Sequence, residues 1–475
     1  MALRVLAAAS EAAPLIKTGG LADVAGALPA ALAREGVEVS TLLPGYRTVL
    51  AQLPGSATAR PLGDLHGGPA RLLRTTLGAT PLLVLDAPHL FDRDGSPYAM
   101  PGGAEWPDNA IRFAGFAATA ARLAVEDGFD AVHAHDWQAG LVPAYLRYGP
   151  RAVPSLFTIH NLAFQGQFPA AVFARLGLPS AAFSTAGLEY FGMVGFLKAG
   201  LWFADHLSTV SPSYAAEIRT PQGGMGLDGL LRGRAGALSG ILNALDTEAW
   251  NPATDAHLAA RFDARDVAPR TANRQAVQDA FGLARSEAPL LGFVGRLTWQ
   301  KGVDLILEAL PAVLGRAQLA ILGTGEGGIE ERCRGAAAAH PGGIGAVIGF
   351  DEALARRVYG GADILLVPSR FEPCGLAQFC ALRYGALPLV AHTGGLIDSV
   401  VDANEAALAQ GWGTGLHFAP TTPEALMAAI GRGLALRADA AAFARVQRNA
   451  MTSDLSWSRS ARHYAALFRR LAADG

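Results

Sequence analysis

A chain of 475 residues is too long for one ordinary hydrophobic core, and two domains are expected. With 51 % hydrophobic and 17 % charged residues and a formal charge of -2, it reads as a soluble globular protein lacking the basic excess that holds nucleic acid or an acidic membrane, so any anion site must be local. Three cysteines, Cys333, Cys374 and Cys380, have neither the even count nor the paired spacing of a disulfide or zinc framework, and fit a reducing, cytoplasmic setting.

From the N-terminus, LRVLAAAS reads as a buried strand and EAAPLIKTGG as a loop, after which Leu21, Val24, Leu28 and Leu32 recur at helical spacing until Gly36. This is a βα unit. The opening MALRVLAAASEAAP imitates a secretory signal, but its apolar run is too short and continues as strand, loop and helix. No run reaches the roughly 18 apolar residues of a membrane span. Strands follow at VEVSTLL, PLLVLDA, DAVHAH and PSLFTIH, with helices over 109–126 and 138–147, and this alternation implies a parallel sheet. After residue 285 the pattern restarts as strand PLLGFVGRL, helix 301–314, strand LAILG, helix 328–338, strand GAVIGF, helix 352–360 and strand DILLVPS. A second doubly wound α/β unit is the simplest reading. LSGILNALDTEAWNP is the expected crossing, placing domains at 1–242 and 243–455, with a helical tail in 456–475 that has no assigned docking place.

Of the 39 basic residues only three are lysine: Lys17, Lys198 and Lys301. Arginine evidently serves where any positive charge suffices, so the lysines mark places where a compact point charge is wanted and a planar fork is not, as around a phosphate. Lys17 opens KTGGLADV, which HTGGLIDSV echoes at 392–400. Both lie where a strand passes into a helix, so free backbone N–H groups and the helix dipole favour an anion there. Two such loops facing each other would clasp a diphosphate.

Other candidates sit at strand ends, where open α/β sheets build their sites. GFVGRLTWQKGVDL places Arg296 and Lys301 after a strand, and Lys301 at a helix start calls for a compensating anion. SRFEPCGLAQFC puts Glu372 in a turn before a helix, either capping it or gripping sugar hydroxyls, with the PCGL amides alongside. Cys374 is a packed small residue rather than a nucleophile. HAHDW and TIHNLAFQG offer His133, His135, Asp136, His160 and Asn161; metal ligation lacks further ligands at suitable spacing, and hydrogen bonding to substrate is the preferred role of His160 with Asn161. GTGEGG at 323–328 matches a dinucleotide fingerprint, but it follows the second strand of its unit and lacks the acidic partner, so a glycine-rich turn is favoured over an NAD-linked oxidoreductase.

Taken together, SEAAPLIKTGGLADVAGALP, HAHDWQAGLVPAYL, TIHNLAFQG, STVSPSYAAEI, GMGLDGLL, GRLTWQKGVDL, SRFEPCGLAQ and HTGGLIDSVVD resemble, in order and over nearly the whole chain, the motifs of the bacterial and plant glycogen/starch synthases. The resemblance implies the GT-B architecture, two Rossmann-like domains facing across a cleft, the first on the acceptor side and the second on the nucleotide-sugar side. It implies retaining transfer of glucose from ADP-glucose to the non-reducing 4-hydroxyl of an α-1,4-glucan, with no required metal or other cofactor. UDP-glucose as donor, or a catalytically silent glucan-binding relative, are the alternatives. By motif match, Lys17, Gly19 and Gly20 meet the donor diphosphate and sugar, as do Cys374, Gly375 and Leu376 and the second glycine loop, Thr393, Gly394 and Gly395. Arg296 and Lys301 hold the phosphates, Glu372 the glucose hydroxyls, and His160, with Asn161, the region of the anomeric centre and 6-hydroxyl. Asp136 lies near donor sugar and acceptor, and Phe350 stacks on adenine. Cys380 stands eight positions after Glu372, where many retaining relatives place a second glutamate, so a front-face mechanism without a protein nucleophile is favoured.

Overall fold

In the computed structural model, which describes residues 2–474, the first sheet is built around apolar runs that bury both faces. Its strands are β1 (Leu3–Ala8), β2 (Val37–Pro44), β3 (Thr58–Asp64), β4 (Pro69–Leu77), β5 (Thr80–Asp86), β6 (Ala131–His135) and β7 (Ser155–Ile159). A small separate sheet contains β8 (Gln167–Pro169), β9 (Glu189–Tyr190) and β10 (Met193–Gly195), and β11 (His206–Thr209) and β12 (Leu238–Gly240) then return to the large one. The order is β12-β11-β7-β6-β1-β2-β5-β4-β3. Every pair from β12 to β5 is parallel, and β6 and β7 are buried throughout, the signature of strands covered on both faces.

One expectation needs correction: the sheet is not wholly parallel. β3 and β4 add an antiparallel edge, β4 on β5 and β3 on β4, with a bulge between Pro61 and Gly63. β4 largely alternates buried or half-buried with exposed residues and β3 buries only Leu62, so this edge keeps a wet face, which hairpin-type connections allow and helical crossovers do not.

The second unit repeats the plan with β13 (Leu290–Val294), β14 (Gln318–Gly323), β15 (Ile344–Ile348), β16 (Ile364–Val367), β17 (Leu387–Ala391) and β18 (Leu416–Phe418), all parallel in the order β15-β14-β13-β16-β17-β18. The helix expected over 301–314 begins only at Val303 and divides into Val303–Glu308 and Leu310–Val313, because Pro311 has no N–H to donate one turn back. Lys301 lies before it, in the 3-10 turn Trp299–Lys301. Likewise 138–147 resolves into a 3-10 turn, Trp137–Ala139, and a helix, Val142–Arg147, with Pro143 in its first turn.

The chain divides into one compact unit ending at Asn243 and resuming at Trp457, and another spanning Ala244–Ser456. The tail, Trp457–Asp474, packs on the first unit. Tyr464 and Phe468 are fully buried, each with its ring 5.5 Å from that of His133, and the Ser460 hydroxyl donates to the Leu242 carbonyl at 2.5 Å. The terminal residues of the expected domains, Met1 and Gly475, lie outside the described residues. No described helix is long and apolar enough to cross a membrane.

Candidate active site

Each sheet has one place where successive connections turn to opposite sides. In the first unit β1 is followed by β2 on one side while β6 lies on the other; in the second β14 and β16 flank β13. Such switch points open a crevice at the carboxyl ends of the strands. Most candidate residues lie at these two places, each in its own unit, while Phe350 follows the edge strand β15.

At the first, the loop after β1 carries Lys17 into the helix Gly20–Arg34, whose N-cap, Gly19, offers no side-chain cap. Lys17 pairs with Asp23 at 2.7 Å and remains part-exposed. Sequence reasoning passed over what shapes this loop. Glu11, 3 % exposed, accepts from the Thr18 backbone N–H, from the Thr18 hydroxyl at 2.6 Å and from the Tyr98 hydroxyl, which also bonds Ser10 at 2.8 Å. A carboxylate among three donors is a strong clasp. Its signal in the sequence is the polar pair Ser10-Glu11 just past an otherwise apolar strand.

Asp136 follows β6 with φ +54°, uncommon for a residue with a Cβ. Its carboxylate accepts from the His160 backbone N–H at 2.7 Å, so this side chain holds the exit of β7. Burial pushes it up to about 7, opposed by the His160 and Asn161 amides and reinforced by Glu11. Asn161 turns back on its own loop, accepting from the Ala163 N–H at 3.0 Å. The rings of His135 and His160 share a hydrogen bond, Nδ1 to Nε2, at 2.9 Å, and His133 bonds Thr158 at 2.7 Å. Burial pulls His133 and His160 down to about 3 and His135 well below its ordinary value, so all three are neutral near pH 7. His160 is therefore a hydrogen-bonding group there, not a cation.

At the second switch point two chain segments are zipped together. Arg370 forks onto Asp304 at 2.8 and 2.7 Å, lies over the Trp299 ring, and donates its backbone N–H to the Gln300 carbonyl at 2.9 Å. Gly302, at φ +68°, lies so close to the chain that a Cβ would stand 2.1 Å from the Pro368 carbonyl oxygen. The consequence is an ion pair, Lys301 to Glu372 at 2.5 Å, with the Ser369 hydroxyl on the same carboxylate at 2.9 Å. Lys301 is thus paired with Glu372, and Glu372 does not cap the helix Ala377–Tyr384, whose N-cap is Leu376. Arg370 and Asp304 escaped sequence reasoning because they are 66 residues apart along the chain, and Ser369, although only three residues before Glu372, sits in the same stretch without a signal of its own.

The two remaining loops of this unit meet backbone to backbone. The Gly395 N–H donates to the Glu372 carbonyl at 3.0 Å, and a Cβ on Gly395 would stand 2.4 Å from the Cys374 Cα, so only glycine permits the approach. Thr393 is the N-cap of Gly394–Ser399, and Gly375 takes φ +79°. Cys374 and Cys380 are buried free thiols. Arg296 is exposed and has no ion pair among the described residues. Phe350, just beyond β15, is 84 % exposed. GTGEGG is spanned by Glu330, which accepts from the Thr324 hydroxyl at 2.7 Å and the Gly325 N–H at 2.8 Å. The Gly325 N–H is thus taken up by a carboxylate of its own segment.

Known proteins resemble the chain over both units. Residues 4–233 match the family model of the starch synthase catalytic domain, and residues 288–435 that of glycosyl transferases group 1. The glycogen synthase of Rhodopseudomonas palustris (strain BisB18) is 56 % identical, over 99 % of this chain and 98 % of that one. That of Acidiphilium cryptum (strain JF-5) is also 56 % identical, over 99 % of both. Among solved structures, the catalytic domain of starch synthase IV from Arabidopsis thaliana, bound to ADP and acarbose, superposes with a TM-score of 0.89 at 31 % identity, covering both chains fully. Sucrose-phosphate synthase from Thermosynechococcus elongatus, at 19 % identity and a TM-score of 0.63, shares the fold, two Rossmann-like units of the GT-B type. With its motifs at both switch points and more than half its residues shared with these enzymes, the chain belongs to the glycogen synthase family of glycosyltransferases.

Proposed function

We propose that the protein transfers glucose from ADP-glucose to the non-reducing 4-hydroxyl of an α-1,4-glucan, with retention at the anomeric carbon. The observation that carries the choice of ADP is the relative with a TM-score of 0.89, whose structure holds ADP and acarbose. The exposed ring of Phe350, free to stack on a purine, supports the same donor. On this reading the unit of β1–β12 serves the acceptor and the unit of β13–β18 the nucleotide.

Arg296 and Lys301 neutralise the diphosphate as it departs, and the uncapped N-terminus at Gly19 and Gly20, with Lys17, adds further positive potential. Glu372, held by Lys301 and Ser369, accepts from glucose hydroxyls, while the amides of Cys374, Gly375 and Leu376 and of Thr393, Gly394 and Gly395 line the sugar and phosphate path. Neutral His160 and Asn161 hydrogen-bond the sugar, and Asp136 fixes the loop that carries them. The bond from the anomeric carbon to the ADP oxygen breaks, and the bond to the acceptor 4-oxygen forms on the same face. The acceptor's proton passes to the leaving phosphate. Glu372 is already ion-paired and Cys380 stands where a second carboxylate would be, which favours this route over a covalent glycosyl-enzyme.

The test is release of ADP or UDP from each sugar nucleotide, with and without glycogen. Glycogen-dependent ADP release with an α-linked product supports the reading. A preference for UDP-glucose, or an inverted product, overturns the corresponding part.

A further inference from the structure

The third rare lysine marks no anion: Lys198 Nζ donates to the backbone carbonyls of Thr185, at 2.8 Å, and Glu189. A place suited to an anion lies instead around an arginine of the first unit. A cavity of ≈ 20 Å³ sits between the short helix Arg47–Leu50, the loop 93–97 and the helix Asn109–Glu126, lined in part by Ile16, Tyr46, Phe91, Ser96, Pro97 and Arg112. That volume admits one occupant of the size of a water or a halide.

Arg112 is 1 % exposed and has no ion pair among the described residues. Its Nε donates to the Leu90 carbonyl at 2.7 Å, and its Nη1 to the Pro97 carbonyl at 3.0 Å and to Asn109 Oδ1 at 2.6 Å. Both N–H groups of Nη2 are left without an acceptor among the described residues. The rings of Phe91, Trp106 and Phe113 stand 5.4, 5.8 and 5.4 Å from the guanidinium carbon and favour a cation, but they supply no in-plane acceptor. The carboxylates of this region serve other donors. Asp108, whose field reaches Arg112, is forked onto Arg93 at 2.7 and 2.5 Å, Asp92 and Asp94 pair with Arg47 at 2.7 and 2.5 Å, and Glu11 holds Thr18 and Tyr98. A guanidinium buried without a carboxylate of its own is costly and calls for a negative partner.

The other polar groups of the wall are donors as well. The Tyr46 hydroxyl, on a residue 5 % exposed, is buried with no hydrogen-bond partner. Ser96 Oγ already accepts from the N–H groups of Tyr98 at 3.2 Å and Ala99 at 2.9 Å, so its hydroxyl has only its proton left to give. The Ser96 carbonyl accepts from Trp106 Nε1 at 3.2 Å, and no carboxylate lines the cavity among the described residues. A water would bring two protons in search of acceptors, whereas an ion that only accepts suits this set of donors.

We propose that the cavity binds one monovalent inorganic anion of chloride size, held by Arg112 Nη2 and the hydroxyls of Tyr46 and Ser96. Ile16 of its wall immediately precedes Lys17, and Pro97 immediately precedes Tyr98, the partner of Glu11, so the ion braces the loop of Lys17 and its clasp from behind.

The test compares the full chain in sodium gluconate, sodium chloride and sodium bromide at constant ionic strength. Chloride and bromide should raise Tm along a saturating curve that gluconate, too large to enter, does not give. Crystals grown in bromide should show its anomalous scattering between Tyr46 and Arg112. Tyr46→Phe removes one donor and keeps the ring; it should raise the half-saturating chloride concentration about tenfold, the weight of one hydrogen bond to a charged group. Arg112→Gln should abolish the response, and if that variant does not fold, Tyr46→Phe decides alone. Equal Tm in the three salts, a cavity that holds water only in bromide crystals, or a chloride response unchanged in Tyr46→Phe overturns the proposal. Neither readout requires turnover, so the result stands apart from the transferase reading.

Discussion

Lys301 and Glu372, 71 residues apart in sequence, meet at 2.5 Å with little solvent around them. Glycine at 302 and the Arg370–Asp304 fork bring the two segments together, leaving room for a compact ammonium. Replacing Lys301 by Arg should therefore cut transfer at least tenfold, a barrier rise of about 1.4 kcal/mol or more, although arginine serves elsewhere in this chain. Lys17→Arg is expected to behave alike. Steady-state rates within about twofold of wild type in both variants would remove the argument that these sites demand lysine.

Glu11 should prove as important to the glycine loop as the loop's own lysine. Glu11→Gln keeps the shape but weakens acceptance from the Thr18 N–H, the Thr18 hydroxyl and the Tyr98 hydroxyl. With charge-assisted bonds contributing about 1.5–3 kcal/mol each, kcat should fall roughly tenfold or more while the chain stays folded. Circular dichroism and donor kinetics on the same preparation decide it; a folded variant of normal kcat would leave the clasp without a role.

Donor choice can be read at Phe350. Replacement by Ala should weaken ADP binding by about 1–3 kcal/mol, the range for an aromatic ring stacked on a base, and weaken UDP binding less because uracil overlaps the ring less. Titrations with both nucleotides measure this. Equal losses, or none, would make the exposed ring irrelevant to the base.

The buried histidines set how stability depends on pH. His133 and His160 fall from 6.5 to about 3, so between those values the unfolded chain binds protons that the native one refuses. Their contribution is complete above about 6.5 and is lost as pH falls, at up to ~1.4 kcal/mol per pH unit for each. Asp136 works oppositely: raised from 3.8 to about 7, it favours the native state at low pH and gives that up towards neutrality. Two histidines against one carboxylate leave a net gain as pH rises towards 6.5. Urea midpoints should increase from about pH 5 to 6.5, and His133→Gln should flatten the rise. A flat wild-type profile would mean that these rings are not buried neutral.

Near-neighbour information determined a great deal. Runs such as LRVLAAAS and DILLVPS, and the helical spacing of Leu21, Val24, Leu28 and Leu32, reveal strands and helices because side-chain periodicity is a local property. The motif loops fall at strand ends because parallel strands joined by helices must turn there. Tertiary structure alone decided the rest. The docking of Trp457–Asp474 against His133, the closing of Glu11 on Tyr98, and the pairing of Lys301 with Glu372 join segments far apart along the chain. The bracing of the His160 backbone by Asp136 belongs with them. Pairings and pKa values of this kind depend on which groups burial strips of water and which partners then lie within hydrogen-bond reach, and both are set by packing between distant segments.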